Sequence, residues 1–179
     1  DCAGFSVGVV DKPKLWGPAK VKAGDVVVGI ESSGFHSNGY SLIRKVFEND
    51  YEKYRTWLLE PTRLYVKAAL QLKAKFDVHA VSHITGGGIE NLPRVLPSHL
   101  KAVLKKWDLP ECFSEIKNRA GISDEQMRIT FNCGIGLMVI LSSDDAKSAV
   151  SALAEIGYKS AILGIIELKG EGEADVVWG

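Results

Sequence analysis

The chain is poor in cysteine. Cys2, Cys112 and Cys133 are odd in number and far apart, with no CxxC pairing and no Cys/His spacing suited to zinc. That excludes a disulfide scaffold or a zinc ribbon, and predicts reduced, mostly buried thiols in a cytoplasmic protein. An excess of either charge is also missing, since 22 basic residues face 22 acidic ones. A nucleic-acid binder needs a basic face to neutralise phosphates, and none is advertised here. The densest basic cluster, Lys101, Lys105 and Lys106, reads as a solvated face. No apolar run reaches the roughly 18–20 residues that cross a bilayer, so no membrane partner is expected. A leader with a charged start and an apolar middle is not expected either, and no internal repeat or low-complexity linker appears.

What is present is enough apolar material, 46% of 179 residues, to predict one packed domain over 1–179. The chain opens on Asp1 directly into a strand-like run, which predicts a piece of something longer. Phe5, Val7 and Val9 alternate as in a half-buried strand. Val26 to Ile30 is a continuous apolar run that fits an interior strand. Leu42, Ile43, Val46 and Phe47 recur at helical spacing. A second helix is predicted from near Pro61, with Tyr65, Ala69, Leu72 and Phe76 as its core stripe. Val78 to Ile84 predicts a strand and Thr85 to Gly88 a tight turn, followed by a short helix carrying Ile89, Leu92 and Val95. Pro110 and Gly121 bracket another helix. Ser123-Asp124-Glu125-Gln126 has capping-box spacing. Ile135 to Leu141 predicts a buried strand. Ala146, Ala149, Val150, Leu153 and Ile156 predict a helix closed by Gly157, and Ala161 to Leu168 a last strand. Strands and helices intermingle, so the fold class is α+β, a mixed sheet with helices packed on it.

Two loops share one architecture. Ser32-Ser33-Gly34-Phe35-His36-Ser37-Asn38-Gly39 and Thr85-Gly86-Gly87-Gly88 each follow a predicted strand and open a predicted helix. At such a junction free backbone N–H groups and the positive helix end favour an anion. Glycine lets the backbone approach a phosphate without a Cβ in the way. Neither loop has the Walker lysine or the GxGxxG pattern, and each also reads as an ordinary turn or cap. His36 sits among small polar residues, where it could donate to a phosphate oxygen or exchange a proton near neutral pH. Arg44 and Arg63 could each grip a phosphate or lie solvated on the surface. Asn132-Cys133-Gly134 reads as a bulge or a site edge. His79 and His83 share a strand face but lie about 13 Å apart, too far for one zinc ion, so no metal site is predicted.

The run from Ser32 to Lys45 resembles a signature of the aminoimidazole ribonucleotide synthetases, the phosphoribosylformylglycinamidine cyclo-ligases. So do Pro61 to Lys67, the run from His83 through Gly88 to Pro97, and Thr130 to Gly136. The resemblance covers essentially the whole chain and implies the carboxy-terminal domain, with the amino-terminal ATP-binding half absent. It implies a three-layer α/β/α fold, partly ferredoxin-like. It also implies an ATP- and magnesium-dependent ring closure in purine biosynthesis, in a homodimeric parent that uses a small nucleotide substrate. Catalysis by this half alone is not expected. By the same resemblance His36 and Asn38 are the catalytic candidates. Ser33, Gly34, Gly39, Thr85, Gly86, Gly87 and Gly88 are the substrate- and phosphate-binding ones. Related readings are a formylglycinamidine synthetase or selenophosphate synthetase domain, or a non-catalytic assembly domain.

Overall fold

Strand β1, Val26–Glu31, lies inside a six-stranded sheet of order β2-β4-β1-β5-β3-β6. The computed structural model describes residues 4–179, so Cys2 lies outside the described residues. The other strands are β2 (Val78–His83), β3 (Leu100–Leu104), β4 (Ile135–Leu141), β5 (Ser160–Leu168) and β6 (Val176–Trp178). All neighbours are antiparallel except β3 and β6, which makes the sheet mixed. β1 has strands on both sides and cover on both faces. Val27 and Val28 therefore point to opposite sides and both are fully buried, which is why this run shows no polar alternation.

Six α-helices occur among the described residues: α1 (Tyr40–Val46), α2 (Arg55–Leu58), α3 (Val66–Lys75), α4 (Glu111–Ala120), α5 (Asp124–Thr130) and α6 (Ser143–Glu155). α3 and α6 cover one face of the sheet, packing Ala68, Leu72, Ala149 and Leu153 on Val28, Ile30 and Val139. On the opposite face the cover is a 3-10 helix, Gly88–Val95, whose Leu92 packs with Val27, Met138, Ile140 and Ile166. Pro93 inside that segment denies it a regular α-helical ladder. A third cluster joins α1, α2, α4 and α5 through Phe35, Phe47, Phe113 and Phe131 at one end of the sheet.

Local signals hold where they were strongest. Ser123 and Gln126 make both bonds of a capping box at the start of α5. α6 ends in a Schellman motif, with Tyr158 N–H on Leu153 O, Gly157 N–H on Ala154 O, and Gly157 at φ 83°. Cys112 and Cys133 are free and buried.

Three expectations are corrected. Phe5 to Val9 is not a strand: Phe5, Val7 and Val9 are almost fully exposed, with no strand beside them to pair with. The helix expected from Pro61 begins only at Val66. Residues 61–65 are engaged elsewhere, Pro61 O with Ser33, Arg63 N–H with His36 and Tyr65 with Glu31. Nor do His79 and His83 share a face. A register shift between Val78 and Ala80 makes His79 a bulge residue, and its Nδ1 lies 2.7 Å from the buried Asp25 carboxylate. Strands β3 and β6 and helix α2 join the predicted elements. Lys101 of β3 pairs with Glu173.

Candidate functional site

The two glycine-bearing loops meet. A Cβ placed on Gly86 would lie 3.3 Å from Asn38 Oδ1, so the two loops lie side by side. One segment, residues 128–134, seats both. Gly39 rests on the Phe131 ring, where a Cβ would come within 2.2 Å. Gly88 rests on main chain, its missing Cβ 1.9 Å from Arg128 O and 2.6 Å from Phe131 O. Both glycines have left-handed φ, 71° and 52°, so conformation and space demand glycine together.

Two buried asparagines tie the loops down. Asn132 accepts from Ser32 Oγ (2.9 Å) and Gly134 N–H (2.8 Å), and donates to Gly34 O (2.8 Å). Asn91 donates to Gly86 O (3.2 Å) and Gly88 O (2.7 Å), and Thr85 Oγ1 donates to Asn91 Oδ1 at 3.4 Å. The carbonyls of the glycine turn are thereby satisfied from within. Gly88 N–H closes on Thr85 O, while the amides of Gly86 and Gly87 meet no acceptor among the described residues. The same is true of Ser37, Gly39 and Tyr40. A patch of free backbone donors without their carbonyls is the arrangement that receives an anion.

His36 is almost completely buried and left-handed at φ 52°, as is Ser37 at φ 60°. Its Nε2 lies 3.0 Å from Ser33 N and 3.3 Å from Arg63 N. Two backbone N–H groups aimed at one ring nitrogen favour the neutral tautomer with its proton on Nδ1, and Ser33 Oγ, 3.0 Å from the same nitrogen, is the group that an Nε2–H would meet instead. Burial first, then the charges of His83 and Arg63, hold the imidazole down at about 4. It is therefore not poised to exchange a proton at neutral pH. Its Nδ1 has no partner among the described residues.

The rings of Tyr65 and His36 lie 6.1 Å apart edge to face, and those of Tyr65 and His83 lie 6.0 Å apart. Gly136 makes room for both, since a Cβ there would meet Tyr65 Oη at 2.0 Å and His36 Cε1 at 2.7 Å.

Of the residues singled out from sequence, Asn38 lies beside Gly86 and donates its Nδ2 to His36 O at 2.8 Å, and Gly87 lies between Gly86 and Gly88 with its amide free among the described residues. Ser33 donates to Pro61 O at 2.7 Å, so its hydroxyl, like that of Thr85, is engaged within the protein. Gly34 is buried beneath Asn132. Arg63 is half-buried and has no carboxylate partner among the described residues, whereas Arg44 is exposed. Sequence reasoning missed Asn91, Phe131 and Tyr65 as organisers, and named Asn132 only as a bulge or site edge. A lone Asn ahead of its turn carries no local pattern; only the proximity of Asn91 to three glycines hinted at its task. A cleft of about 610 Å³, lined by Ile89, Glu90, Arg128 and Trp178 among others, lies beside the 3-10 helix rather than at the His36 loop.

No group of three His, Cys, Asp or Glu side chains is placed to hold a metal ion among the described residues. No helix among the described residues is long and apolar enough to cross a membrane.

The family model described as AIR synthase related protein, C-terminal domain, matches residues 22–177. The fold is similar to that of the hydrogenase maturation protein HypE of E. coli, with TM-score 0.63, 16% identity, and coverage of 92% of this chain and 48% of that one. It is similar to a thiamine-monophosphate kinase from Stenotrophomonas maltophilia, with TM-score 0.60, 18% identity, and coverage of 89% and 51%. HypE in complex with ATP matches with TM-score 0.64, 17% identity, and coverage of 89% and 48%. The chain thus spans about half the length of these structures, and at such identities the likeness is one of fold.

Proposed function

The chain belongs to the AIR synthase related family through its C-terminal domain, and from that premise we propose that it forms one wall of the substrate cleft of a phosphoribosylformylglycinamidine cyclo-ligase. The observation that carries the reading is the close approach of the His36 loop to the glycine turn, each with backbone amides that meet no acceptor among the described residues. Such a wall suits a ligand with a ribose phosphate at one end and a phosphoryl group in transfer at the other.

The reaction needs that arrangement. An amide-type carbonyl is a poor electrophile, and its oxygen leaves badly. Transfer of the terminal phosphoryl of ATP to the formyl oxygen gives a leaving group; a substrate nitrogen then attacks the same carbon, and phosphate departs as the ring closes. The attack is intramolecular, so holding the reacting ends together supplies much of the acceleration. Preorganised N–H donors stabilise the charge that develops on phosphoryl oxygens. In this reading Gly86, Gly87, Ser37 and Gly39 offer amides, Asn38 offers its side chain, and His36 orients the loop. ATP and magnesium would serve the complete enzyme, in which the amino-terminal half is this chain's partner and the whole is a homodimer.

A second reading is favoured by the structural neighbours. One is a thiamine-monophosphate kinase and another, HypE, has been solved with ATP. The same wall would then serve phosphoryl transfer to a different acceptor. The two separate by product. Paired with the amino-terminal half of a family cyclo-ligase, the chain should support ATP-dependent formation of aminoimidazole ribonucleotide from formylglycinamidine ribonucleotide. A phosphorylated product from another acceptor, with no cyclisation, supports the second reading. Failure with every acceptor, together with tight binding of a protein partner, supports an assembly domain.

A further inference from the structure

Resting on that reading of the cleft, we infer that Arg63 is the cationic anchor for the ligand's phosphate, and that His36 is the positioning residue that sets it by accepting the Arg63 amide. Arg63 is half-buried, not splayed into solvent, and no carboxylate among the described residues neutralises it. Arg55 pairs with Glu52 and Arg119 with Asp50 and Glu115. Arg44, Arg94 and Arg128 also lack a carboxylate partner among the described residues, but the first two are exposed and Arg128 lies over the Trp178 ring. The charge of Arg63 reaches the sites of His36 and Tyr65, the side chains beside Gly136. An unneutralised guanidinium in a half-buried position lacks its counter-charge, and a phosphate is the group it grips with two parallel hydrogen bonds.

The segment carrying Arg63 is non-helical and precedes α3, so no helical ladder fixes it. Two bonds to the His36 loop do so instead. Ser33 Oγ donates to Pro61 O at 2.7 Å, and Arg63 N–H donates to His36 Nε2 at 3.3 Å. Ser33 N–H donates to the same nitrogen at 3.0 Å, so the imidazole splints two chain segments that are 27 residues apart. This work uses Nε2 as an acceptor and leaves Nδ1–H unpartnered. A ring acting on the ligand itself would use Nδ1 instead.

The two nitrogens are separable by substitution. Gln places an oxygen near the Nε2 position, whereas Asn reaches only about as far as Nδ1 and suits the left-handed backbone of residue 36 better. In the 15N-labelled 179-residue chain, ribose 5-phosphate affinity is read from the Gly86 and Gly87 amide shifts, and histidine ring 15N shifts give the His36 tautomer. The inference expects Arg63→Gln to weaken binding by about tenfold or more with the rest of the spectrum unchanged, and Arg63→Lys by less. His36→Gln should keep affinity within about threefold, and His36→Asn should lose it as Arg63→Gln does. An Nδ1–H tautomer in the free protein supports the splint. Undiminished binding by Arg63→Gln, rescue by Asn rather than Gln, or an Nε2–H tautomer overturns the inference while leaving the cleft reading in place. No shift at either glycine in the wild type overturns both.

Discussion

The three consecutive glycines of the turn should respond to alanine in three different ways. Gly88 is buried, has φ 52°, and its missing Cβ lies 1.9 Å from Arg128 O and 2.6 Å from Phe131 O. Those are main-chain atoms of the segment that seats both loops, so they cannot swing aside. Left-handed backbone costs an alanine about 1–2 kcal/mol, and forcing a methyl into a filled site costs about 1–3 kcal/mol more. Gly88→Ala should therefore lose about 2–5 kcal/mol, a large share of the roughly 5–15 kcal/mol that holds a domain. Gly87 also has positive φ, 93°, but its nearest neighbour is Asn91 Nδ2 at 3.6 Å, so only the conformational cost remains, about 1–2 kcal/mol. Gly86 has neither problem beyond Asn38 Oδ1 at 3.3 Å, and Gly86→Ala should cost less than about 1 kcal/mol. If the turn receives a phosphate, Gly86→Ala and Gly87→Ala nonetheless lose ligand affinity, because a methyl stands beside the free amides. Urea melts followed by far-ultraviolet circular dichroism measure the first quantity and ligand titration the second. A Gly88→Ala midpoint within error of wild type would refute the packing argument. Equal ligand affinity in all three variants would reduce the turn to a structural bend.

Other outcomes follow from the same geometry. Asn91→Ala leaves the carbonyls of Gly86 and Gly88 without their donor and should cost about 2–4 kcal/mol in a urea melt, with accelerated amide exchange at residues 85–88. Ser123→Ala removes one half of the capping box at α5 and should cost about 1 kcal/mol, with ligand binding unaffected. The His36 imidazole, held at about 4 against an ordinary 6.5, is neutral in the folded chain over a range where the unfolded chain is protonated. Stability should therefore be unaffected by this group above about pH 7. It should fall as pH drops from about 6.5 to 4, by up to about 3 kcal/mol, and His36→Gln should remove that part of the slope in pH-dependent melts.

What the sequence disclosed was whatever depended on neighbours along the chain. The interior strands at Val26–Glu31 and Ile135–Leu141 showed as unbroken apolar runs because both their faces are covered. The capping box and the Gly157 and Gly121 helix ends are local bonds with local spelling. Strand β3 does alternate, with Leu100, Ala102 and Leu104 buried, but Lys101, Lys105 and Lys106 drew attention to charge instead. Strand β6 has only three residues and takes its conformation from β3. Phe5 to Val9 shows the converse, a strand pattern with no strand beside it. The helix expected at Pro61 is delayed because Arg63 N–H and the Tyr65 hydroxyl are held by groups about thirty residues earlier. For the site, the sequence picked out both loops but not what joins them. The approach of Asn38 to Gly86, and the seating of Gly39 and Gly88 on Phe131 and Arg128, join residues about forty to ninety positions apart. His36 stood out in the sequence as a polar-loop histidine, but the amide that faces its ring belongs to a residue 27 positions away.

The central claim, that the two loops form one anion-receiving wall, is tested most directly by titrating the 15N-labelled chain with formylglycinamidine ribonucleotide, using ribose 5-phosphate and ATP as comparisons. The account predicts saturable shifts at the amides of Ser33–Gly39 and Gly86–Gly88, moving together with one dissociation constant, with or without the amino-terminal half of a family cyclo-ligase present. Shifts that fall on other surfaces, or none at either loop, would contradict it.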